Sequence, residues 1–189
     1  MKNLYMAGEH VYLRHPTEED ALGKWHEWFS DEDTTKYNAD QYWPNTVENQ
    51  LALYKSLTDN STSDSRNKLV LSVVTIKDDL HIGVVGLTRI NWVHRYADII
   101  IIIGDKDHRK MPYSLEAHEL THSVAFLRLN LLHLRSFYAA TNEGAAALQN
   151  MLRYKKIGVY PEFMVIDGKW VDLVTGLLKK DDYLNSRKL

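Results

Sequence analysis

The chain is expected to form an α/β fold around a mixed, mostly antiparallel sheet. Three features of the sequence lead there. Runs rich in β-branched residues alternate with segments whose apolar residues recur every three or four positions. Leu69 to Ile76 and Ile82 to Asn91 are separated only by a short polar connection containing Lys77, Asp78 and Asp79, too short for anything but an antiparallel hairpin. Farther on, strand-like and helical segments alternate, an order that favours a parallel crossover.

Taken in order, His10 to Arg14 reads as a short strand ended by Pro16. Thr17 then N-caps a helix whose first turn is Glu18, Glu19 and Asp20, acids that suit the positive end of the helix dipole, and the helix should run to about Phe29. Ser30 to Asn45 is polar and broken by Pro44. Thr46 caps a second helix with Val47, Leu51 and Tyr54 at helical spacing, and Thr58 to Asn67 reads as a loop. The hairpin follows, and Tyr96 to Ile103 adds a third strand to it. Ile99 to Ile103 falls far short of the roughly 20 apolar residues of a membrane span and suits a strand buried on both faces.

After Gly104 the chain changes character. Asp105 to Arg109 is a charged loop. From Tyr113 on, Ala117, Leu120, Val124, Leu127 and Leu131 define the apolar stripe of a long helix. Ser136 to Ala140 is a short strand, and Asn142 to Tyr154 is a helix that Gly158 should stop. Val159 to Ile166 and Trp170 to Leu178 flank Asp167-Gly168, a strong hairpin turn signal.

The length, 189 residues, suits one domain, 1–189, with no repeat or linker dividing it. The net charge of −2 gives no basic excess for neutralising phosphates, so a nucleic-acid partner is not expected. The absence of cysteine excludes disulfides, thiolate metal sites and cysteine nucleophiles. Glu9 and His10 interrupt the first apolar residues, which therefore lack the organisation of a secretory signal. A cytoplasmic protein without a membrane partner is the expectation.

The segment YADIIIIIGDKDHRKMPYSLEA, Tyr96 to Ala117, resembles the acetyl-CoA-binding segment of the GNAT acetyltransferase superfamily. LNLLHLRSFYAATNEGAAALQNMLRYKKIG and IDGKWVDLVTGLLKKDDY extend the resemblance, as does the opening VYLRHPTEEDA followed by WFSDEDTTKY. It covers nearly the whole chain, and its ending is similar to that of the branch that acetylates ribosomal-protein N-termini and of related small-molecule enzymes. The resemblance implies a three-layer α/β/α fold with a twisted mixed sheet, splayed where two parallel strands diverge to admit acetyl-CoA as co-substrate.

The resemblance also assigns residues. Ile102, Ile103 and Gly104 fall where the family's splayed strand offers backbone groups to the peptide-like pantetheine arm. Arg109, Lys110, Met111, Tyr113, Ser114 and Leu115 match the phosphate loop and the helix start behind it. Pro112 stands where the family has a glycine and has no N–H to give, so positive charge from Arg109 and Lys110 would substitute in part. Asn142 matches an asparagine that binds the cofactor arm, and an N-cap is its alternative. Asp98 falls where a family glutamate acts as base through water, and Tyr154 where a tyrosine protonates the departing sulfur. For both, a plain structural role stays open.

His118-Glu119-Leu120-Thr121-His122 is the rival motif, that of a zinc metallopeptidase, because H-E-x-x-H places two histidines one helical turn apart to share a zinc ion while Glu119 activates water, with Glu143 as a third ligand. Their position nearly opposite the apolar stripe suggests a solvated face instead, and no metal is expected. His94 is an alternative base. Trp25, Trp28, Tyr37, Tyr42 and Trp43 cluster where such a fold binds its acceptor. The function implied is acetyl transfer to a primary amine of a protein N-terminus, an amino sugar or a small metabolite. A non-catalytic ligand- or partner-binding domain of the same fold is the other reading, and a homodimer is open.

Overall fold

The computed structural model describes residues 3–38, 45–58 and 66–187. Tyr42, Trp43, Pro44 and most of the 58–67 loop therefore lie outside the described residues. Strand β1, Leu4–Ala7, pairs antiparallel with β2, Val11–Arg14, in a hairpin of which the sequence reading found only the second arm. Helix α1 comprises Glu18–Asp20, a π turn at Ala21–Trp25, and His26–Ser30. Thr17 and Asp20 close a reciprocal capping box at its start. A short helix α2, Glu32–Thr35, follows, capped by Asp31, and α3, Val47–Thr58, begins with the Asn49 N–H donating to Thr46 Oγ1.

Strands β3, Leu69–Thr75, β4, His81–Asn91, and β5, Tyr96–Ile103, form the expected antiparallel meander. Helix α4, Tyr113–Ser123, continues into a π turn at Val124–Arg128. That turn explains a difference from the expected stripe. An i→i+5 turn advances the helical phase, so Phe126 points into the core at 0% exposure and Leu127 turns out at 52%. Strand β6, His133–Ala139, starts three residues before the expected Ser136, and α5 is Glu143–Met151. Gly158 does not stop α5. Arg153, at φ 64°, takes the left-handed position after the helix, and Gly158 lies inside β7, Lys155–Ile166. Asp167 and Gly168, at φ 50° and 73°, make the turn into β8, Lys169–Lys179. A closing helix α6, Lys180–Ser186, was not expected.

Among the described residues the strands form one open sheet in the order β1-β2-β3-β4-β5-β6-β8-β7. Only β5 and β6 run parallel. One face packs a core of Val11, Leu71, Ile82, Leu134 and Leu178 against α4 residues Ala117, Val124 and Phe126. The other packs Ala21, Trp25 and Trp28 of α1 against Val84. The result is the three-layer α/β/α arrangement.

Asp20 ties α1 to the sheet. Its buried carboxylate accepts from Arg14 at 2.6 and 2.7 Å, from Ser72 Oγ at 2.9 Å and from the Thr17 N–H at 2.9 Å, and His81 Nδ1 stands 2.9 Å away. Burial alone would raise this carboxyl, but the bonds from Arg14 and then His81 outweigh it and hold the group far below the usual carboxylate range.

Candidate active site

The site begins where the parallel pairing ends. β5 and β6 are in register over three pairs only, Tyr96 with His133, Ala97 with Leu134 and Asp98 with Arg135. Beyond Asp98, no strand among the described residues lies beside the β6-facing edge of β5, although β4 still pairs with its other edge up to Ile103. This open edge is the splay, and it leaves backbone donors and acceptors for an extended ligand. At its wide end lies a cavity of about 320 Å³ lined by Asp33, Thr34, Tyr37, Asn38, Ile101, Ile102, Ile103, Arg109 and Asn142.

Gly104 closes β5 with a tight packing requirement. It is buried, and a Cβ there would overlap the Trp28 indole, so only glycine lets α1 lie against the strand end. The charged loop then folds as a short 3₁₀ turn, Lys106–His108, with the Asp105 carboxylate accepting from the Asp107 N–H and lying 2.7 Å from His108 Nδ1. Arg109 turns back into the cavity. Its Nε donates to Ile103 O at 3.0 Å, and its Nη2 donates to Gly104 O at 3.2 Å and to Thr34 Oγ1. Lys110 and Met111 are exposed beside it.

Pro112 occupies the N-cap of α4 and gives no side-chain cap. Tyr113, Ser114 and Leu115 are the first three helical residues, whose N–H groups have no partner inside a helix. These N–H groups stand at the positive end of the α4 dipole, next in sequence to the cationic Arg109 and Lys110. Asn142 caps α5 through Oδ1, which accepts from the Ala145 N–H at 3.0 Å, while the same residue lines the cavity. The cap reading of Asn142 is thus the one the structure shows.

At the narrow end, Asp98 is 1% exposed and carries a double ion pair. Arg89 donates to Oδ2 through Nε and Nη2, and Arg135 Nε donates to Oδ1 at 2.7 Å. Three of the roughly four acceptor positions of a carboxylate are thus engaged by guanidinium N–H groups. Arg135 also stacks over Tyr96, 4.7 Å from the ring centroid. The arrangement suits Asp98 to positioning the two arginines, in place of the base role read from the sequence.

Tyr154 does not join this group. Its helix ends at Met151 with Arg153 in the left-handed cap, which turns Tyr154 into the core at 7% exposure, with its hydroxyl 2.9 Å from His122 Nε2. Burial pushes its phenol well above the ordinary value. The spacing to Gly158 that singled it out does not correspond to a helix end. The buried polar residue that α5 does present to the sheet is Gln149, whose Nε2 donates to Ser136 Oγ, one residue past the last parallel pair.

His118 and His122 face the protein interior. His118 Nδ1 donates to Ser114 O at 2.9 Å and His122 is 2% exposed against Tyr154. Burial lowers the His118 imidazole to about 4, opposed by its bond to Ser114, and lowers His122 further, with His118 adding to the effect. Glu119 is exposed. Among the described residues no three His, Asp or Glu side chains are grouped to hold a metal ion.

The structure thus brings Ile102, Ile103, Arg109 and Asn142 around one cavity and places Asp98 at the opposite end of the splay, while Gly104, Lys110, Met111, Tyr113, Ser114 and Leu115 belong to the loop and the first turn of α4 that follow β5 and are not among the residues lining the cavity. Sequence reasoning missed Arg89, Arg135, Ser136, Gln149 and the α2 residues Asp33 and Thr34. Arg89 and Arg135 carry a signal in hindsight, since each is a charged residue inside an otherwise apolar strand.

Comparison with known proteins agrees with this geometry. The acetyltransferase (GNAT) domain profile matches residues 10–155. A structure of spermidine N-acetyltransferase from Vibrio cholerae in complex with CoA and spermine superposes with a TM-score of 0.82 at 22% identity, covering 93% of this chain and 98% of that one. A dodecameric structure of spermidine N-acetyltransferase from the same organism, in an intermediate state, gives 0.77 at 21% identity, covering 93% and 97%. No curated protein matches in sequence.

Proposed function

Because the chain belongs to the GNAT family of acetyl-CoA-dependent acetyltransferases, we propose that it transfers an acetyl group from acetyl-CoA to a primary amine in the cleft between β5 and β6. The observation that carries this reading is the end of parallel pairing at Asp98 and Arg135, with a cavity lined by Ile101 to Ile103 at the open end. When bound, acetyl-CoA supplies an activated acetyl carbon and a thiol leaving group, so the amine gains the acetyl and loses one proton while the sulfur takes one.

The chain's own groups divide the remaining work. The open edge of β5 from Ile99 to Ile103 offers peptide-like hydrogen bonds to the pantetheine arm, which orients it along the strand. Arg109, Lys110 and the N–H groups of Tyr113, Ser114 and Leu115 hold the phosphates, with Met111 beside them and Asn142 facing the arm. Gly104 lets Trp28 close over the strand end. From Ile103 to Asp98 the strand spans roughly 16 Å at about 3.3 Å per residue, a reach that sets the reacting end of an extended arm near the apex. There Ser136 Oγ accepts from Gln149, which leaves its own O–H to donate a hydrogen bond to the departing sulfur while the sulfur takes the proton that the amine releases. The acceptor is a small-molecule amine or a protein N-terminus. The spermine-bound neighbour makes small amines the first to test, and its dodecameric relative makes self-association a second measurement.

Calorimetric titration with CoA, followed by thiol release from acetyl-CoA across an amine panel, tests the proposal. Binding with acceptor-dependent release supports it. No CoA binding at millimolar concentration overturns it, and binding without release for any amine would favour a ligand-binding domain of the same fold.

A further inference from the structure

The apex of the cleft holds two arginines and one carboxylate, and the surplus charge bears on the acceptor. Asp98 is almost wholly buried, whereas the Arg89 side chain is 68% exposed and that of Arg135 34%. One carboxylate anchors two guanidiniums and leaves a net positive charge, and both arginine side chains keep solvent-exposed surface. Arg89 spends Nε and Nη2 on Asp98, and Arg135 spends Nε, from five donors each.

The backbone is shaped to bring Arg89 there. Thr88 of β4 pairs with Asp98 and Asn91 with Tyr96, so Arg89 and Ile90 together stand opposite the single residue Ala97. This is a β-bulge, and Arg89 sits in it at φ 49°, a conformation that a non-glycine side chain rarely adopts. A bulge of this kind re-aims a side chain, and the strain it carries persists only where surrounding contacts hold it. Here the contacts are the ion pair with Asp98 and the Phe137 ring, over which both guanidiniums lie at 5.7 and 5.8 Å. Arg135 is fixed from the other side by the Tyr96 ring.

We infer that Arg89 and Arg135 select an acceptor whose amine is accompanied by a carboxylate, as in an α-amino acid or an acidic peptide N-terminus. This rests on the acetyl-transfer reading above and narrows it. A rigid guanidinium fork matches a carboxylate in a bidentate geometry, and two forks held 2.7 Å or closer to a shared buried anchor are preorganised for that contact. A polyamine would meet net positive charge at the place where its amine must react. The acids of the cavity do not offset this. Asp33, the acid that lines it, lies at the far end and shares Lys106 with Asp31, at 3.2 and 3.1 Å.

The test compares L-amino acids with their α-amides and with spermidine as acceptors, using acetyl-CoA and reading thiol release. Calorimetric titration of N-acetyl amino acids and their amides into the CoA-loaded protein supplies a readout independent of turnover. Carboxylates should exceed the matched amides at least tenfold in kcat/KM or in product affinity. Arg89→Gln, which removes the charge and leaves Arg135 on Asp98, should remove most of that preference while CoA affinity stays unchanged, and Arg89→Lys should restore part of it. Equal use of acid and amide, preference for spermidine, or an Arg89→Gln variant that keeps the wild-type preference would each overturn the inference while leaving acetyl transfer intact. Failure to bind CoA at all would instead remove the acetyl-transfer reading itself.

Discussion

Asp98 and Arg135 meet twice. Their backbones form the last aligned pair of the parallel ladder, and Arg135 Nε donates to Asp98 Oδ1 at 2.7 Å. The ion pair therefore stands at the point where the two strands part, and it fixes that point from the side chains as well as from the main chain. Loss of the carboxylate should disturb both the opening of the cleft and the arginines above it.

Asp98→Asn is expected to reduce kcat/KM by about 10²-fold or more, because two preorganised guanidiniums lose their anchor. Since the role assigned is positioning, the pH–rate profile should keep its wild-type shape at the lower level. Disappearance of the acidic limb in the variant would restore Asp98 as the base.

Ser136→Ala removes the hydroxyl that Gln149 orients. A drop in kcat of about 10²-fold with unchanged KM for acetyl-CoA is expected from the loss of a hydrogen-bond donor to the developing thiolate. A Tyr154→Phe variant should lose stability through the severed bond to His122 and keep a near-normal kcat. The reverse pattern would return the proton donor to Tyr154.

Gly104→Ala should destabilise the fold by about 1–3 kcal/mol, because the added methyl overlaps a buried Trp28 ring that cannot yield without moving α1. Urea midpoints measure the change. Arg153→Gly should act in the opposite sense, raising stability by about 0.5–1 kcal/mol, since glycine meets the left-handed cap without a Cβ penalty.

Acid should weaken the fold through the α4 histidines. His118 titrates at about 4 in the folded protein and near 6.5 when unfolded, so between those values the unfolded chain holds a proton that the folded chain refuses. Stability is full above about pH 6.5 and declines as the pH falls toward 4, by about 2 kcal/mol at pH 5 from His118. His122, shifted further in the same direction, adds to the loss. Unfolding curves at pH 7.5 and pH 5 should differ accordingly, and His118→Gln should narrow the difference.

The parts of this fold that were legible in the sequence are those fixed by local chemistry. Thr17 with Asp20, Thr46 with Asn49, and Asp167-Gly168 are caps and turns whose partners lie within a few residues, and each forms as read. The isoleucine run and the residues after it resemble a known cofactor segment, and that resemblance located the cavity. Arg153 was not legible as a cap because arginine has no preference for left-handed backbone, and tertiary packing of Leu152 and Tyr154 imposes it. The π turn at Val124–Arg128 leaves no compositional mark, so the spacing alone puts Leu127 on the stripe where Phe126 is buried, while Ala117, Val124 and Leu131 are buried as the spacing predicts. Arg89 and Arg135 come to Asp98 from separate strands across gaps of 9 and 37 residues, a convergence set by sheet order and a bulge.

Glu116 sits in the first turn of α4, and its carboxylate reaches back to accept from the His10 and Val11 N–H groups at 2.7 and 2.8 Å as well as from Glu9. The turn between β1 and β2 is thus latched onto the same helical turn whose N–H groups face the proposed phosphates. An anion that orders the start of α4 would lengthen the lifetime of this latch, far from any acceptor. The N-terminal hairpin then becomes a built-in reporter of cofactor occupancy, readable as slowed amide exchange at Glu9, His10 and Val11 when CoA is added.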